Sequence, residues 1–447
     1  MLADDTAYLA KLNFYEEYLS CCVMCKGKIK HVHIYGLWGI KDIDTSFDPN
    51  VNIFIGTNGT NKTVFLNLLE AALTADIKTL VSIEFDRMEV LIDAEVELIE
   101  IVQVSKEDGT EIQYKIGDEI FILQPYPLRA RRIAHMEVPP VFRLREKLKE
   151  LVNISWLSVN RDNIDTQYLD SREIMDRLKN MVDFKIDELV KQLGTYQLQL
   201  ESEANVISND FKKEVMSMML YNETIDGYKN GYKLNVKDLD INDLKKQLYK
   251  AFNAMGIAKN QKDIIDTHIT KIREVLDKVS NRSIEMSLED VLVLTLIKRT
   301  FAIIEISQKH EEQTKQLYAQ INNFWKCLER FMPNKLFKYD KEKGELLVTL
   351  KEGNREDVTI SLKALSSGEK QLFILLTEAL LQKEKNYLFI ADEPELSLHI
   401  KWQKKILPEM LSINPNAQII VATHSPEVAS NYPDKIINMV NITSYNE

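Results

Sequence analysis

Leu9, Leu12, Tyr15 and Leu19 fall on one face of a helix, so residues 1–27 read as an N-terminal helical extension. From Lys28 the period changes. HVHIYGLWGI and VNIFIG read as short strands separated by turn residues. From about Leu80 to Leu123 come further strand-like runs, VSIEF, AEVELIEIVQV, EIQYKI and EIFIL. Glu107-Asp108-Gly109 between two of them predicts a hairpin. A strand ISWLSV closes this stretch at Val159.

From about Arg161 to Met332 the apolar period is helical. Val182, Ile186, Leu189, Leu193, Tyr196 and Leu200 step by four and three, and so do Leu317, Ile321, Phe324, Leu328 and Phe331. The two runs lie near opposite ends of the segment, which suits the two arms of an antiparallel helical insertion with short coiled-coil character. An arm of about 40 residues would reach roughly 60 Å. From Leu336 strands return in LFKYD, GELLVTL and VTISL. Then come a helix from Glu369, a strand YLFIA, a helix from Leu398, a strand QIIVAT and a last strand near KIINMV. Strands alternating with helices predict an α/β fold, a parallel sheet covered by helices and interrupted by the helical insertion.

At 447 residues the chain has room for about three domains, or for one large fold with insertions. Its 14 glycines and 11 prolines are about half the ordinary share, in keeping with long helices. A net charge of -11 argues against bulk electrostatic binding of nucleic acid. One local exception is Pro125–Lys149, where Arg129, Arg131, Arg132, Arg143, Arg145, Lys147 and Lys149 outnumber Glu137 and Glu146. Such a run is usually a solvated face; its sharper reading is a contact with nucleic acid or an acidic partner. Four cysteines, Cys21, Cys22, Cys25 and Cys327, are too few to staple so long a chain, which favours a reducing cytoplasm. The N-terminus has no basic stretch before an apolar core, and no run approaches about 18 apolar residues, so neither a signal peptide nor a membrane span is expected. Cys22-x-x-Cys25 followed by His31 and His33 invites a zinc reading, but the Cys25-to-His31 spacing is too short for a standard finger, and zinc is not expected there.

The first chemical signal is Val51-Asn52-Ile53-Phe54-Ile55-Gly56-Thr57-Asn58-Gly59-Thr60-Asn61-Lys62-Thr63, an apolar strand running into a loop and then a helix. In the pattern G-x-x-x-x-G-K-[ST], backbone N–H groups and a helix N-terminus cradle phosphates, the lysine neutralises their charge and the hydroxyl binds Mg²⁺. Gly56, Lys62 and Thr63 stand at the right offsets, with Asn58 and Gly59 between them. Asn61 stands where the pattern has glycine. A side chain there crowds the phosphate, although asparagine tolerates left-handed backbone angles. ATP binding with slow turnover is the expectation.

Three further elements share that chemistry. The apolar strand Tyr387–Ala391 delivers Asp392 and Glu393 at its C-terminal end, the edge at which open parallel sheets bind ligands. Asp392 suits a Mg²⁺ ligand and Glu393 a base that orients or deprotonates the attacking water. Leu365-Ser366-Ser367-Gly368-Glu369 opens the preceding helix and offers an anion site, although a serine cap beside a glycine turn is a common plain device. The strand Gln418–Thr423 ends in His424, which at the same sheet edge reaches a γ-phosphate or its water. His399 and Trp402 follow the acidic strand and read as shapers of an interface.

These four elements, in this order, resemble the ABC-type ATPases. ADEPELSLHIKWQ followed by ATHSP is similar to the OLD/RecF-like branch of that class. The resemblance covers Lys28–Val159 and Phe337–Val440. It implies an ATPase head in two halves, residues 28–160 with the phosphate loop and 333–447 with the signature, the acidic strand and the switch histidine. Residues 161–332 are then the helical insertion. It implies Mg²⁺ on Thr63 and Asp392, catalysis by Glu393 and His424, and dimers of heads. There Ser366, Ser367, Gly368 and Glu369 of one protomer close over the nucleotide of the other. Arg161, after Ser158-Val159-Asn160, stands in the glutamine-loop neighbourhood, where this branch carries a basic residue. OLD nucleases continue into a Toprim domain; only about 20 residues follow His424, and a domain needs roughly 50. Stand-alone ATPases of this kind resemble the antiphage families PtuA, of Septu and retron systems, and AriA, of PARIS. WLSVNRD and LLTEALL are most similar to PtuA. That resemblance implies a regulatory subunit holding a separate effector nuclease, HNH-type for PtuA and Toprim-type for AriA. A RecF-like repair ATPase that clamps DNA directly is the alternative.

Overall fold

The computed structural model describes residues 27–57, 59–93, 97–106, 109–124, 140–158, 171–218, 220, 240–255, 261–280, 287–340, 345–351 and 358–445. The N-terminal helical extension, Cys21, Cys22, Cys25, Asn58, Arg129, Arg131, Arg132, Asn160 and Arg161 lie outside these residues. Two compact units emerge, one drawn from Met1–Leu193 with Asn323–Glu447, the other from Gly194–Asn322.

The chain enters the first unit through strands β1 (Ile29–Leu37), β2 (Lys41–Ser46) and β3 (Val51–Ile55), and helices α1 (Lys62–Thr74) and α2 (Ile77–Ser82). Strands β4 (Arg87–Ile92), β5 (Glu97–Lys106), β6 (Gly109–Ile116) and β7 (Glu119–Leu123) follow, then α3 (Pro140–Leu151) and β8 (Ile154–Ser158). Helices come next: α4 (Ser171–Ser217), α5 (Ile241–Ala254), α6 (Lys262–Ser280), α7 (Leu288–Leu317) and α8 (Ala319–Phe331). Strands β9 (Lys335–Asp340), β10 (Glu345–Leu350) and β11 (Val358–Ser361) lead to α9 (Ser367–Leu381). The chain closes with β12 (Tyr387–Asp392), α10 (Ile400–Ile413), β13 (Ala417–Ala422), α11 (Pro426–Ala429), β14 (Ile436–Asn438) and β15 (Thr443–Tyr445).

The expected α/β architecture is present, with parallel and antiparallel pairing divided between separate sheets. One sheet has the order β14-β3-β13-β12-β8, and its pairs are parallel. A second has the order β15-β2-β1-β4-β5-β6-β7 and is antiparallel; β9, β10 and β11 form a third. Strands β12 and β13 are almost wholly buried, as unbroken apolar runs with both faces covered should be. Strand β4 instead alternates, with Met88, Val90 and Ile92 buried and Arg87, Glu89 and Leu91 half-buried. Helix α1 contributes Phe65, Leu66, Leu68 and Leu69 to one core shared by the antiparallel sheet and by Leu388, Ile390 and Ile420 of the parallel one. The Tyr114 hydroxyl fastens this layer by donating to the Ala72 carbonyl at 2.9 Å.

Two local expectations need correction. VSIEF is not a strand: Asp76 caps α2 by accepting from the Lys78 N–H, so Val81 and Ser82 end a helical turn. Arg87–Ile92, outside the strand-like runs of the sequence, also forms a strand. The hairpin is present, since Lys106 pairs with Gly109 across a two-residue connection.

In the second unit Tyr196 donates to Gln320 at 2.9 Å, and Glu214 lies 3.6 Å from Lys309. Contacts that run up α4 and down the α7–α8 stretch make the two antiparallel there. Leu244, Leu248, Ile265, Ile269, Ile272 and Ile297 form this unit's core. Helix α4, at 47 residues, is about 70 Å long. No helix among the described residues is long and apolar enough to cross a membrane.

Candidate functional site

Strand β3 is buried for four of its five residues and releases the loop at its C-terminal end. Gly56 has no room for a side chain: a Cβ there would lie 2.4 Å from Thr60 Oγ1. That hydroxyl donates to the Thr57 carbonyl at 2.7 Å and tightens the turn. Asn61 adopts φ 64°, ψ 22°, the left-handed conformation that glycine takes without strain. Its carbonyl still accepts the first helical bond, from the Phe65 N–H at 2.8 Å. The departure from the sequence pattern is thus absorbed by the backbone, with the side chain left beside the phosphate position. Lys62 folds back over the loop and donates to the Gly56 carbonyl at 2.7 Å. Burial lowers its pKa, against the opposing pull of Asp392 and Glu393.

The order β3-β13-β12 places three strand ends side by side. Thr63, in the first turn of α1, donates to Asp392 Oδ2 at 2.8 Å. Burial raises the Asp392 pKa, with the Thr63 hydrogen bond working the other way. Two oxygen donors converge there, one on a carboxylate that lacks solvation, and such a pair fits a hard divalent cation such as Mg²⁺. Glu393 follows in a left-handed conformation, φ 48°, costly for a residue with a side chain, and is held by its N–H bond to the Ala422 carbonyl at 2.8 Å. Its Oε1 lies 4.0 Å from His424 Nε2, and both side chains are about two-fifths exposed, so water reaches them. A cavity of 350 Å³ opens beside His424, lined by Gly56, Thr423 and Ser425 among others, while Lys62, Thr63, Asp392 and Glu393 do not line it.

Sequence reasoning missed Glu395. Its side chain is buried and accepts from the Thr423 hydroxyl and from the Ser425 N–H, bracketing His424. Ser425 Oγ in turn donates to Gln403 at 2.7 Å. Burial raises the Glu395 pKa, and its Oε2 has no hydrogen-bond partner among the described residues. In the sequence Glu395 reads as one more acid after Asp392 and Glu393, with nothing local to mark its reach across 28 residues to Thr423.

Ser366 and Ser367 are exposed at the start of α9. Ser366 and Glu369 form a reciprocal capping box, in which the Ser366 N–H donates to Glu369 at 3.0 Å. Lys335 holds the other Glu369 oxygen at 2.6 Å. Gly368 is pressed against the loop after β12, where a Cβ would meet the Ser397 carbonyl at 2.4 Å. Lys370 is buried and paired with Asp183 of α4 at 2.6 Å, and Lys363 meets Asp187 at 2.8 Å. His399 caps α10 by accepting from the Lys401 N–H, and Trp402 stands edge-on to Phe331. In the described part of the basic run, Arg145 donates to the Thr74 and Ala75 carbonyls, Lys147 meets Glu119 and Lys149 meets Glu146.

A family model described as an AAA ATPase domain matches residues 28–429. A probable ATPase of retron Vc95 from Vibrio cholerae serotype O1 biovar El Tor is 33% identical over 97 residues, 19% of each chain. A probable ATPase of retron Ec83 from Escherichia coli is 25% identical over 173 residues, 33% of this chain and 31% of that one. The matches therefore span less than a third of those relatives. Among solved structures, an Smc head domain with an extended coiled coil from Pyrococcus furiosus, bound to the C-terminal domain of ScpA, aligns over 94% of this chain and 96% of its own. The identity is 14% and the TM-score 0.43. The corresponding Smc head of Pyrococcus yayanosii gives 14% and 0.42.

Proposed function

This chain belongs to the AAA ATPase domain family, and we propose that it is an ATP-binding, slowly hydrolysing regulatory subunit of an antiphage defence complex. In this reading it holds and controls a separate effector nuclease. The observation that carries the ATPase part is the gathering of Lys62, Thr63, Asp392, Glu393 and His424 at one edge of the parallel sheet.

The loop amides and Lys62 bind the nucleotide phosphates. Thr63 and Asp392 would hold Mg²⁺, which neutralises phosphate charge when bound. Glu393 would orient the attacking water and take its proton, and His424, 4.0 Å from it, would donate to the γ-phosphate or to that water. Ser366 and Ser367, exposed and fixed by the capping box, suit a donor set offered to a second copy, so the working unit is a dimer of heads or a higher assembly. Asn61 beside the phosphates supports slow turnover.

The defence role rests on the retron ATPases among the relatives and on the PtuA-like and AriA-like wording of the sequence. An HNH-type nuclease is the favoured partner, a Toprim-type the other. Direct DNA clamping has less support, because Arg145, Lys147 and Lys149 of the basic run make contacts within the chain. A tagged pull-down from the native host in ATP, with mass spectrometry of what co-elutes, tests the assignment. A stoichiometric nuclease is expected. A lone dimer that binds duplex DNA would replace this reading with the repair clamp.

A further inference from the structure

His31 and His33 do not form a standard finger with Cys22-x-x-Cys25, and the proposed ATP chemistry does not use them. They alternate along β1 and therefore share a face. The register with β2 sets His33 opposite Asp44 and His31 opposite Ser46. His31 Nε2 lies 2.8 Å from Asp44 Oδ1, and ligand atoms of His31, His33 and Asp44 all fall within 4.8 Å of one another.

The geometry points to a divalent transition-metal site of the Zn²⁺ class formed by His31, His33 and Asp44. Two imidazoles and one carboxylate are borderline donors that select Zn²⁺, Co²⁺ or Ni²⁺ over Mg²⁺ or Ca²⁺, which separates this site from the oxygen pair at Thr63 and Asp392. Ligand atoms around a tetrahedral zinc stand roughly 3.3 Å apart, given bonds of about 2.0–2.1 Å. The observed spacing needs only side-chain adjustment to reach that.

The surroundings suit the task. Ser46 Oγ lies 3.2 Å from His31 Nδ1, so Nδ1–H can donate to it and leave the Nε2 lone pair for the metal, the usual outer partner of a ligating histidine. The His33 ring is stacked on Tyr35 at 3.7 Å, and Tyr35 is itself covered by Arg87 at 4.2 Å, which restricts the ring's rotation. His31 and Asp44 are partly exposed, so an ion enters from solvent, and three protein ligands leave a coordination position for water or another donor. The site rests on cross-strand register and does not require Cys22 or Cys25.

Co²⁺ titration of the nucleotide-free full chain, followed by visible d–d absorption and Zn²⁺ competition, tests this. The expected result is one saturable ion per chain, displaced by Zn²⁺ and unaffected by excess Mg²⁺. H33A and D44A should each weaken Co²⁺ binding by about 10–100-fold. Their melting temperatures should stay close to wild type, since both side chains lie on the solvent face. S46A should weaken binding by less, as an orienting partner would. Absence of a saturable signal overturns the assignment. So does binding that survives H33A and D44A, or that shows thiolate charge-transfer bands and vanishes in C22A/C25A.

Discussion

Thr63 and Asp392 are 329 positions apart in sequence, and the threonine hydroxyl donates to the aspartate carboxylate at 2.8 Å. The bond joins the phosphate loop to the acidic strand across the whole helical insertion. It also holds a buried carboxylate whose desolvation the Thr63 bond and the Lys62 charge offset in part, and which a bound cation would offset further.

That cost has a pH signature. The Asp392 pKa is raised in the fold, so the folded chain binds more protons than the unfolded one as pH climbs through and just above the ordinary carboxylate range. The contribution of Asp392 to stability is therefore most favourable at low pH and declines as it ionises. Asp392→Asn should raise the melting temperature of nucleotide-free protein by about 1–3 °C at pH 7. It should also abolish the further rise on adding Mg²⁺ with ATP. Thermal shift with and without nucleotide checks both halves.

Asn61 carries the left-handed turn, and in the proposed ATP site its side chain would crowd the phosphates. Asn61→Gly keeps φ 64° without strain and removes the crowding side chain, so ATP turnover should rise several-fold. Asn61→Val, β-branched at positive φ, should lose nucleotide binding. Steady-state phosphate release and nucleotide titration separate the two effects.

Glu395 accepts from Thr423 and Ser425 on either side of His424, so the role expected of it is to position that histidine. Glu395→Gln still accepts from Thr423 and Ser425 and should keep most activity. Glu395→Ala should lower kcat about 10-fold or more with little change in ATP affinity. Equal losses in the two variants, or a change confined to ATP affinity, would remove the positioning role.

Lys370 and Asp183 form a buried pair between α9 and α4, with side chains 7% and 19% exposed. Removing Asp183 alone strands a buried ammonium, and Asp183→Ala should cost about 3 kcal/mol. The double change Asp183→Leu with Lys370→Met should recover much of that. Denaturant melts of Asp183→Leu, Lys370→Met and the double variant provide the cycle.

The strand–loop–helix from Val51 and the strand ending at Asp392 were legible because unbroken apolar runs and fixed offsets are local properties. So were the arms, whose spacing of four and three is visible before any contact is known. Two kinds of feature were not. Val81 and Ser82 are β-prone residues recruited into a helical turn by a cap at Asp76, five positions upstream of Val81. Glu395 with Thr423, and His33 with Asp44, meet through strand order and register, which no local pattern encodes. Lys370 reads as a solvated helix charge until Asp183 is seen against it.

The central claim is a composite ATP site closed by a second copy. Glu393→Gln should block water attack and trap ATP, so its mass by light scattering should shift from the nucleotide-free species to an ATP-retaining dimer or higher even assembly. The Ser366→Arg variant in the same background should bind ATP yet fail to assemble. If Glu393→Gln binds ATP no more tightly than wild type and its mass does not change on adding ATP, the composite-site account is contradicted.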